Sequence, residues 1–320
     1  MSDTRNLRRI FRQFPEPSVP LTLTEKTTRG LLGIVLSPLY WLLAHRYHTP
    51  GLWLHQKSVR LMLQLLPKAG TSISNGWLYF LLFMPMDSTR YFEFDFAWRA
   101  LAQIHIQSYL DVSSPRLFPL LLLNERPELR ADLLNPDQSD LAVTANFISA
   151  ANLTERSGLH NCLIQTSPFL PETFDVITSI SVVEHIPEDN HAIMKMWKLL
   201  RPGGKLILSV PCAAEAEEQY ININPYQLLS LNPNGFVFLQ YLYDKRLLQE
   251  KIFSVTGPPN RFAIYGEKHA GFLRRNLDSK ASPRYPFWRE PYIMGKEFCY
   301  FDSITDLPGE AVIAMEFIKR

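Results

Sequence analysis

Cysteine is scarce in this 320-residue sequence. The three cysteines, Cys162, Cys212 and Cys299, stand far apart and form neither a CxxC pair nor a Cys/His spacing suited to a metal ion. Isolated cysteines in odd number argue against a disulfide framework and against a structural zinc site. We therefore expect a reduced, cytoplasmic protein without a metal centre.

A surplus of charge is also lacking. The 33 Lys and Arg residues against 31 Asp and Glu residues give a net charge of +2, so the overall balance predicts no nucleic-acid partner. The sequence contains no Walker-type phosphate loop, no GxSxG nucleophile elbow and no HExxH metal motif. These absences remove several other classes of enzyme.

No apolar run reaches the length of a membrane span. The longest, residues 31–44, has 14 residues with Pro38 near its middle, whereas a spanning helix needs about 20. Three interpretations stay open: a buried helical hairpin, a true span, or an interfacial segment with Tyr40, Trp41 and Trp53 at headgroup level. The last would give peripheral membrane contact through residues 29–60, since residues 1–60 carry nine Lys and Arg against three acids.

Beyond residue 90, short apolar runs alternate with helical segments, which predicts βαβ units and an α/β fold with a mostly parallel sheet. The chain thus divides into a basic, apolar helical region (1–89), either a lid or a membrane-surface contact, and a domain (90–320) with an insertion near 267–300. An acidic helix should begin residues 213–240. Strands are predicted over residues 107–112, 129–133, 161–165, 174–181, 205–210, 261–266 and 310–318, and helices over 94–106, 117–125, 137–152, 190–200 and 244–253.

Two segments at a fixed distance carry a family resemblance. Residues 174–186 read FDVITSISVVEHI, and residues 199–211 read LLRPGGKLILSVP, a helix end, a Gly-Gly turn and an apolar strand. Together they resemble the fourth and fifth strand segments of class I S-adenosylmethionine (SAM) methyltransferases. The resemblance implies a Rossmann-like sheet of seven strands with helices on both faces, SAM as the cofactor, and a small-molecule or lipid-like methyl acceptor.

The loop after the first strand departs from the family pattern. In the family an acidic residue opens a D-x-G-x-G-x-G loop, whose glycines let the backbone approach the cofactor. Here Asp111 is present, but Ser113, Pro115 and Leu117 replace the three glycines. The resemblance assigns cofactor contacts to Asp111, Ser113 and Ser114, with Ser114 as a helix N-cap. The alternative is a turn that binds nothing, in a methyltransferase-fold protein that serves as an inactive binding or scaffold partner.

The ends of the next strands supply the other cofactor candidates. Asp132, about twenty residues after Asp111, matches the acid that binds the ribose hydroxyls, with Leu133 beside it. Gln165 and Thr166 follow the third strand, where the family reads the adenine amino group. The resemblance places Ser179 and Ile180, at the end of the fourth strand, beside the methyl donor.

Candidates for acid–base catalysis are His185, Glu184 and Tyr220, and the sequence does not choose among them. A general base helps an oxygen nucleophile, whereas the sulfonium already activates the methyl group. The aromatic segments 220–226 and 285–292 are candidates for a roof over an apolar acceptor, or for ordinary packing of an insertion.

Overall fold

The computed structural model describes residues 7–14, 19–102, 104–224 and 227–320. The strands are β1 Arg8–Arg12, β2 Ser108–Val112, β3 Arg130–Leu134, β4 Ser157–His160, β5 Phe174–Ile180, β6 Leu200–Cys212, β7 Glu217–Ile221, β8 Val237–Leu242, β9 Arg261–Glu267, β10 Phe298–Phe301 and β11 Ala311–Ile318. The helices are α1 Leu23–Arg46, α2 Leu52–Leu65, α3 Asn75–Phe83, α4 Arg90–Leu101, α5 Leu117–Glu125, α6 Gln138–Ala150, α7 Asp189–Leu199, α8 Lys245–Leu248, α9 Ser254–Thr256, α10 Phe272–Lys280 and α11 Glu290–Glu297.

The central sheet has the order β10-β9-β11-β6-β5-β2-β3-β4. The five strands from β6 to β4 are parallel, and β11, β9 and β10 each pair antiparallel with their neighbour. This confirms the Rossmann-like, mostly parallel α/β fold. The described part of the sheet has eight strands where seven were predicted, because β10, inside the predicted insertion, extends the edge.

Both faces of the sheet are covered. Successive residues of a strand point to opposite faces, and Tyr109 and Leu110 of β2 accordingly belong to two different apolar cores. One core also contains residues of α2 to α5, and the other contains residues of α7 and α8. The N-terminal helices therefore share a core with the sheet.

Two predicted elements were wrong. The third strand ends at His160, before residues 161–165, because the Asn161 amide donates to the carbonyls of Asn135 and Pro136 and turns the chain out of the sheet. The predicted acidic helix is instead strand β7, which lies between β1 and β8 in a second, three-stranded sheet. There Glu217 and Glu218 pair with Arg8 and Arg9 of β1, so tertiary contacts override helix propensity.

The N-terminal run forms one continuous helix and not a hairpin. Helix α1 begins at a capping box, in which Thr22 and Glu25 satisfy each other's backbone N–H groups, and it continues through Pro38. By length and composition α1 is long and apolar enough to cross a membrane. Only 17% of its most apolar window is buried in the protein. Trp53, expected at headgroup level, points inward instead, since its indole N–H donates to Asp95 at 2.6 Å.

Candidate active site

A cavity of about 810 Å³ lies at the carboxyl ends of the parallel strands. The chain passes outward from β2 to β3 and β4, then returns to β5 on the other side of β2, so the strand order reverses between β2 and β5. Ligands of open α/β sheets bind at this reversal. The loops after β2, β3 and β5 all contribute to the cavity wall.

Ser113 takes the backbone conformation that the missing glycine would have supplied. Its φ is +53°, in the left-handed region that favours glycine. Both the N–H and the Oγ of Ser113 donate to the Leu134 carbonyl, at 2.9 and 3.0 Å, and these bonds offset the strain. The loop therefore keeps its tight turn without a glycine, and Ser113, Ser114 and Pro115 line the cavity.

Asp111 fixes this loop from behind. Its buried carboxylate accepts hydrogen bonds from the Ser114 N–H at 3.1 Å, the Thr178 hydroxyl at 2.9 Å and the Tyr109 hydroxyl at 3.0 Å. Burial raises the pKa of Asp111 to about 6, although these donors work in the opposite direction. Asp111 is not among the cavity-lining residues, so it supports the loop and does not face the cavity.

Ser114 does not cap a helix as expected. Helix α5 begins at Leu117, and Arg116 occupies the N-cap position. The Ser114 hydroxyl instead accepts the backbone N–H of Ile180 at 3.0 Å. This bond ties the loop after β2 to the end of β5, the two segments that border the reversal point.

The structure does not bring Asp132 into the cavity. Strand β3 continues to Leu134, so Asp132 lies within the strand, where its carboxylate accepts a 2.6 Å hydrogen bond from His160 Nε2. The residues that follow the strand and line the cavity are Asn135 and Asp137. Leu133, also expected to contact the cofactor, is buried in the sheet.

Gln165 reaches the cavity although its predicted strand does not form. It lies in a 3₁₀ turn, Ile164–Thr166, and lines the cavity beside Leu163 and Ile164. Its Oε1 is buried and accepts no hydrogen bond from the described residues. Such an unsatisfied acceptor is costly unless a ligand donates to it. The neighbouring Thr166 is exposed and donates to the Leu163 carbonyl.

At the end of β5, Ser181 lines the cavity, whereas the predicted residues Ser179 and Ile180 do not. Ser179 and Ile180 are buried in the sheet. Ser181 lines the cavity with a φ of +48°, and its hydroxyl donates to Glu93 of α4.

A buried ion pair from α4 borders the same region. Arg90 lines the cavity, and its guanidinium donates to Glu93 at 2.5 Å. Glu93 also accepts the Ser209 hydroxyl at 2.8 Å. Nothing local in the sequence links Glu93 to a serine 116 positions away.

His185 also lines the cavity. Its Nδ1 lies 2.7 Å from the Leu239 carbonyl, which assigns the proton to Nδ1 and leaves Nε2 as the basic nitrogen. Burial lowers the pKa of His185 to about 4, so the ring is neutral at pH 7. The neutral imidazole can accept a proton, but a pKa this far below 7 makes it a weak base unless a bound ligand raises that pKa.

Glu184 lies behind His185, with its Oε1 3.9 Å from Nε2 of the imidazole. Its carboxyl is buried, and Oε2 finds no hydrogen-bond partner among the described residues. Burial raises the pKa of Glu184 to about 8. The carboxyl is therefore mostly protonated at neutral pH, and it is not among the cavity-lining residues.

The third catalytic candidate lies elsewhere. Tyr220 belongs to β7, where its ring stacks on Phe11 and its hydroxyl donates to Glu218 at 3.1 Å. Of the two predicted roof segments, 220–226 contributes Asn224 to the cavity wall, and its residues 225–226 lie outside the described residues. In the other, Tyr285 and Trp288 contact Arg29 of α1 and not the cavity.

One wall of the cavity is apolar. Helix α3 contributes Trp77, Phe80 and Leu81, and strand β8 contributes Val237 and Phe238. The polar loops described above also line the cavity. Wide apolar lining with a few placed polar groups is typical of a site for a small organic ligand.

The donors and acceptors in the cavity fit a SAM molecule. The unsatisfied Gln165 Oε1 is an acceptor for an amino group, and the tight turn at Ser113 lets backbone approach a ligand closely. Arg90 adds a cation near the loop after β5. Gln165 suits an adenine amino group, the turn at Ser113 suits the amino-acid part of SAM, and Arg90 suits its carboxylate.

Residues 128–208 match the family of methyltransferase domains. The ubiquinone biosynthesis O-methyltransferase of Aliivibrio fischeri (strain MJ11) is 32% identical over 65 residues, which cover 20% of this chain and 28% of that protein. The same-named protein of Pseudomonas putida (strain W619) is 38% identical over 40 residues, 12% of this chain and 17% of that one. The chain thus aligns with less than a third of the length of each of these relatives.

The fold has a solved counterpart. The crystal structure of the MccD protein superposes with a TM-score of 0.51 and 11% identity, covering 73% of this chain and all of the other. At this identity the likeness shows the fold, and the family match covers residues 128–208.

Proposed function

We propose that this protein is a SAM-dependent methyltransferase that acts on a small, apolar, lipid-like acceptor. The observation that carries the proposal is that one cavity joins a polar cofactor-type loop at Ser113 to an apolar wall from α3. Such a cavity places a polar donor and an apolar acceptor side by side. Proximity and orientation supply much of the rate enhancement when the donor is already reactive.

The residues that would hold SAM come from three loops. Gln165 Oε1 would accept from the adenine amino group, Asn135 and Asp137 lie where the ribose is expected, and the turn at Ser113 would receive the amino-acid part. When bound, SAM supplies an electrophilic methyl group on its sulfonium. Arg90 would balance the negative charge of the cofactor's carboxylate.

His185 is the proposed general base for a hydroxyl acceptor. As the acceptor oxygen bonds to the methyl carbon and the sulfur–carbon bond breaks, the hydroxyl proton passes to His185 Nε2, and S-adenosylhomocysteine (SAH) is the second product. The Leu239 carbonyl keeps the ring in the tautomer that leaves Nε2 basic. The O-methyltransferase names of the relatives favour an oxygen acceptor.

The acceptor's surroundings complete the proposal. The aromatic and aliphatic side chains of α3 and β8 favour an apolar acceptor over a charged one. A cytoplasmic location with peripheral membrane contact through residues 29–60 would give the enzyme access to such a compound.

Calorimetric titration of the full chain with SAH tests cofactor binding. We expect micromolar binding that weakens about tenfold in Gln165→Ala, the loss of roughly one hydrogen bond. Thr166→Ala is the matched control, because this neighbour is exposed and does not line the cavity. Absence of binding by the unmodified chain would favour the inactive scaffold.

Transfer itself is tested with methyl-labelled SAM and a series of 4-alkylcatechols of increasing chain length. Activity should rise with chain length, and His185→Ala should lower kcat about 10²–10⁴-fold. SAH affinity of the variant should stay within about twofold, since the base contacts the acceptor. Equal kcat values for the two proteins would remove His185 from the mechanism.

A further inference from the structure

Helix α1 presents a continuous apolar stripe to the outside of the protein. Its members Leu31, Val35, Leu39 and Leu42 are between 51 and 71% exposed. They recur every three or four residues and therefore share one helix face. Exposed apolar surface of this extent marks a contact site.

The opposite face of α1 is fixed to the protein. A Cβ at Gly33 would lie 2.1 Å from the Tyr79 hydroxyl, so α1 and α3 approach closely there. Arg29 donates to the Tyr285 carbonyl at 2.8 Å and lies over the Trp288 ring. One side of α1 therefore packs against the fold, which leaves the stripe as the side open to another contact.

Charge identifies the partner. No Asp or Glu occurs between residues 26 and 86, whereas this stretch has six Lys and Arg. Among the described residues, Lys26, Arg46, Arg60 and Lys68 are exposed and take part in no ion pair. Lys26 and Arg46 bracket the stripe at the two ends of α1. A second copy of this basic region would be repelled, whereas anionic headgroups would be attracted.

We propose that α1 lies flat on an anionic lipid bilayer, with its stripe at the acyl boundary and Lys26 and Arg46 among the headgroups. An interfacial helix normally pairs an apolar face with a solvated polar face. Here the folded domain takes the place of the polar face. The proposed function includes a membrane contact through residues 29–60, and the orientation of α1 adds the lipid class and the helix face of that contact. The orientation does not depend on methyl transfer.

Flotation of the full-length protein with vesicles tests this assignment. We expect binding to phosphatidylcholine vesicles that contain phosphatidylglycerol and weak binding to phosphatidylcholine alone. Val35→Glu should lower partitioning into the vesicles about tenfold or more, because a charge replaces an apolar side chain that would be buried in the bilayer. Leu170→Glu is the matched control: Leu170 is 75% exposed, close to the 71% of Val35, but lies outside α1.

A second variant tests the charges separately. Lys26→Ala combined with Arg46→Ala should abolish the preference for phosphatidylglycerol while leaving SAH titration and thermal unfolding unchanged. Equal flotation of Val35→Glu and the unmodified chain would overturn the assignment. It would also be overturned if the unmodified chain does not float but sediments as a dimer that Val35→Glu dissociates. A chain that floats but does not bind SAH would refute the proposed function and leave this assignment standing.

Discussion

Helices α1 and α3 both carry large apolar side chains, but these lie in opposite surroundings. Helix α3 directs Trp77, Phe80 and Leu81 into the cavity, whereas the stripe of α1 faces outward. The two helices touch at Gly33 and Tyr79, so a single helix layer separates the exposed stripe from the cavity wall. The N-terminal region thus has an inner surface suited to a small ligand and an outer surface suited to a lipid bilayer.

Truncation of one leucine in each helix should give the largest difference. Leu81 is 6% exposed, and Leu81→Ala should lower the free energy of unfolding by about 2–5 kcal/mol. Leu39 is half exposed, and Leu39→Ala should cost less than about 0.5 kcal/mol. Urea denaturation of the two variants measures both values. Equal costs would mean that the stripe is buried in the protein in solution.

The effect of pH on stability near the cavity should differ from its effect on vesicle binding by the stripe. Because burial raises the pKa of Glu184 from 4.5 to about 8, its contribution to stability is fully present below pH 4.5 and lost as the pH rises through 8. Glu184→Gln removes this penalty and should stabilise the protein on the order of 2–4 kcal/mol at pH 9, but little at pH 4.5.

Thermal unfolding of Glu184→Gln across this pH range measures the effect. Vesicle binding should not change between pH 7 and 9, since the stripe Leu31, Val35, Leu39 and Leu42 contains no titratable side chain. A pH-independent stability difference would show that the Glu184 carboxyl is not desolvated as the structure indicates.

Two glycines of α1 test the contact between the helices. Gly33→Ala forces a Cβ against the Tyr79 hydroxyl and should destabilise by about 1–3 kcal/mol. Gly30→Ala has no atom within 4 Å of the new Cβ and should stabilise by up to about 1 kcal/mol through helix propensity. Chemical denaturation gives both signs, and a stabilising Gly33→Ala would contradict the close packing.

Phe80 should matter more for acceptor binding than for stability. It is 40% exposed but lines the cavity, so Phe80→Ala should change the free energy of unfolding by about 1 kcal/mol or less. The KM for long-chain 4-alkylcatechols should rise, whereas SAH affinity should not. An equal rise for short-chain and long-chain catechols would exclude Phe80 from the acceptor wall.

The fold was predictable because each βα unit has a local signature. The helix predicted over 117–125 matches α5, and the turn at residues 202–204 precedes the apolar part of β6. Strand β7 was not predictable in this way. Its acidic residues form a strand because they pair with Arg8 and Arg9 of β1, which lie more than 200 residues away along the chain.

The site was predictable only where position along the chain mattered more than conformation. Gln165 was placed at the end of a predicted third strand, and although that strand does not form, the structure brings Gln165 to the cavity. Asp132 was misplaced because β3 continues for two residues beyond it, to Leu134, which leaves Asn135 at the strand end. The turn at Ser113 has no glycine in the sequence, and its conformation depends on hydrogen bonds to Leu134, which no local pattern reveals.

The attachment of α1 also has a consequence during synthesis on the ribosome. The inner face of α1 and the turn after it are held by contacts from the other end of the chain. Arg29 bonds to Tyr285 across 256 positions, and Thr49 to Pro291 across 242. Until those residues leave the exit tunnel, the outer face of this apolar helix is uncovered and its inner face has only α3 to pack against. The nascent chain should therefore depend on chaperones, or on an early encounter with a membrane, well before the central sheet is complete.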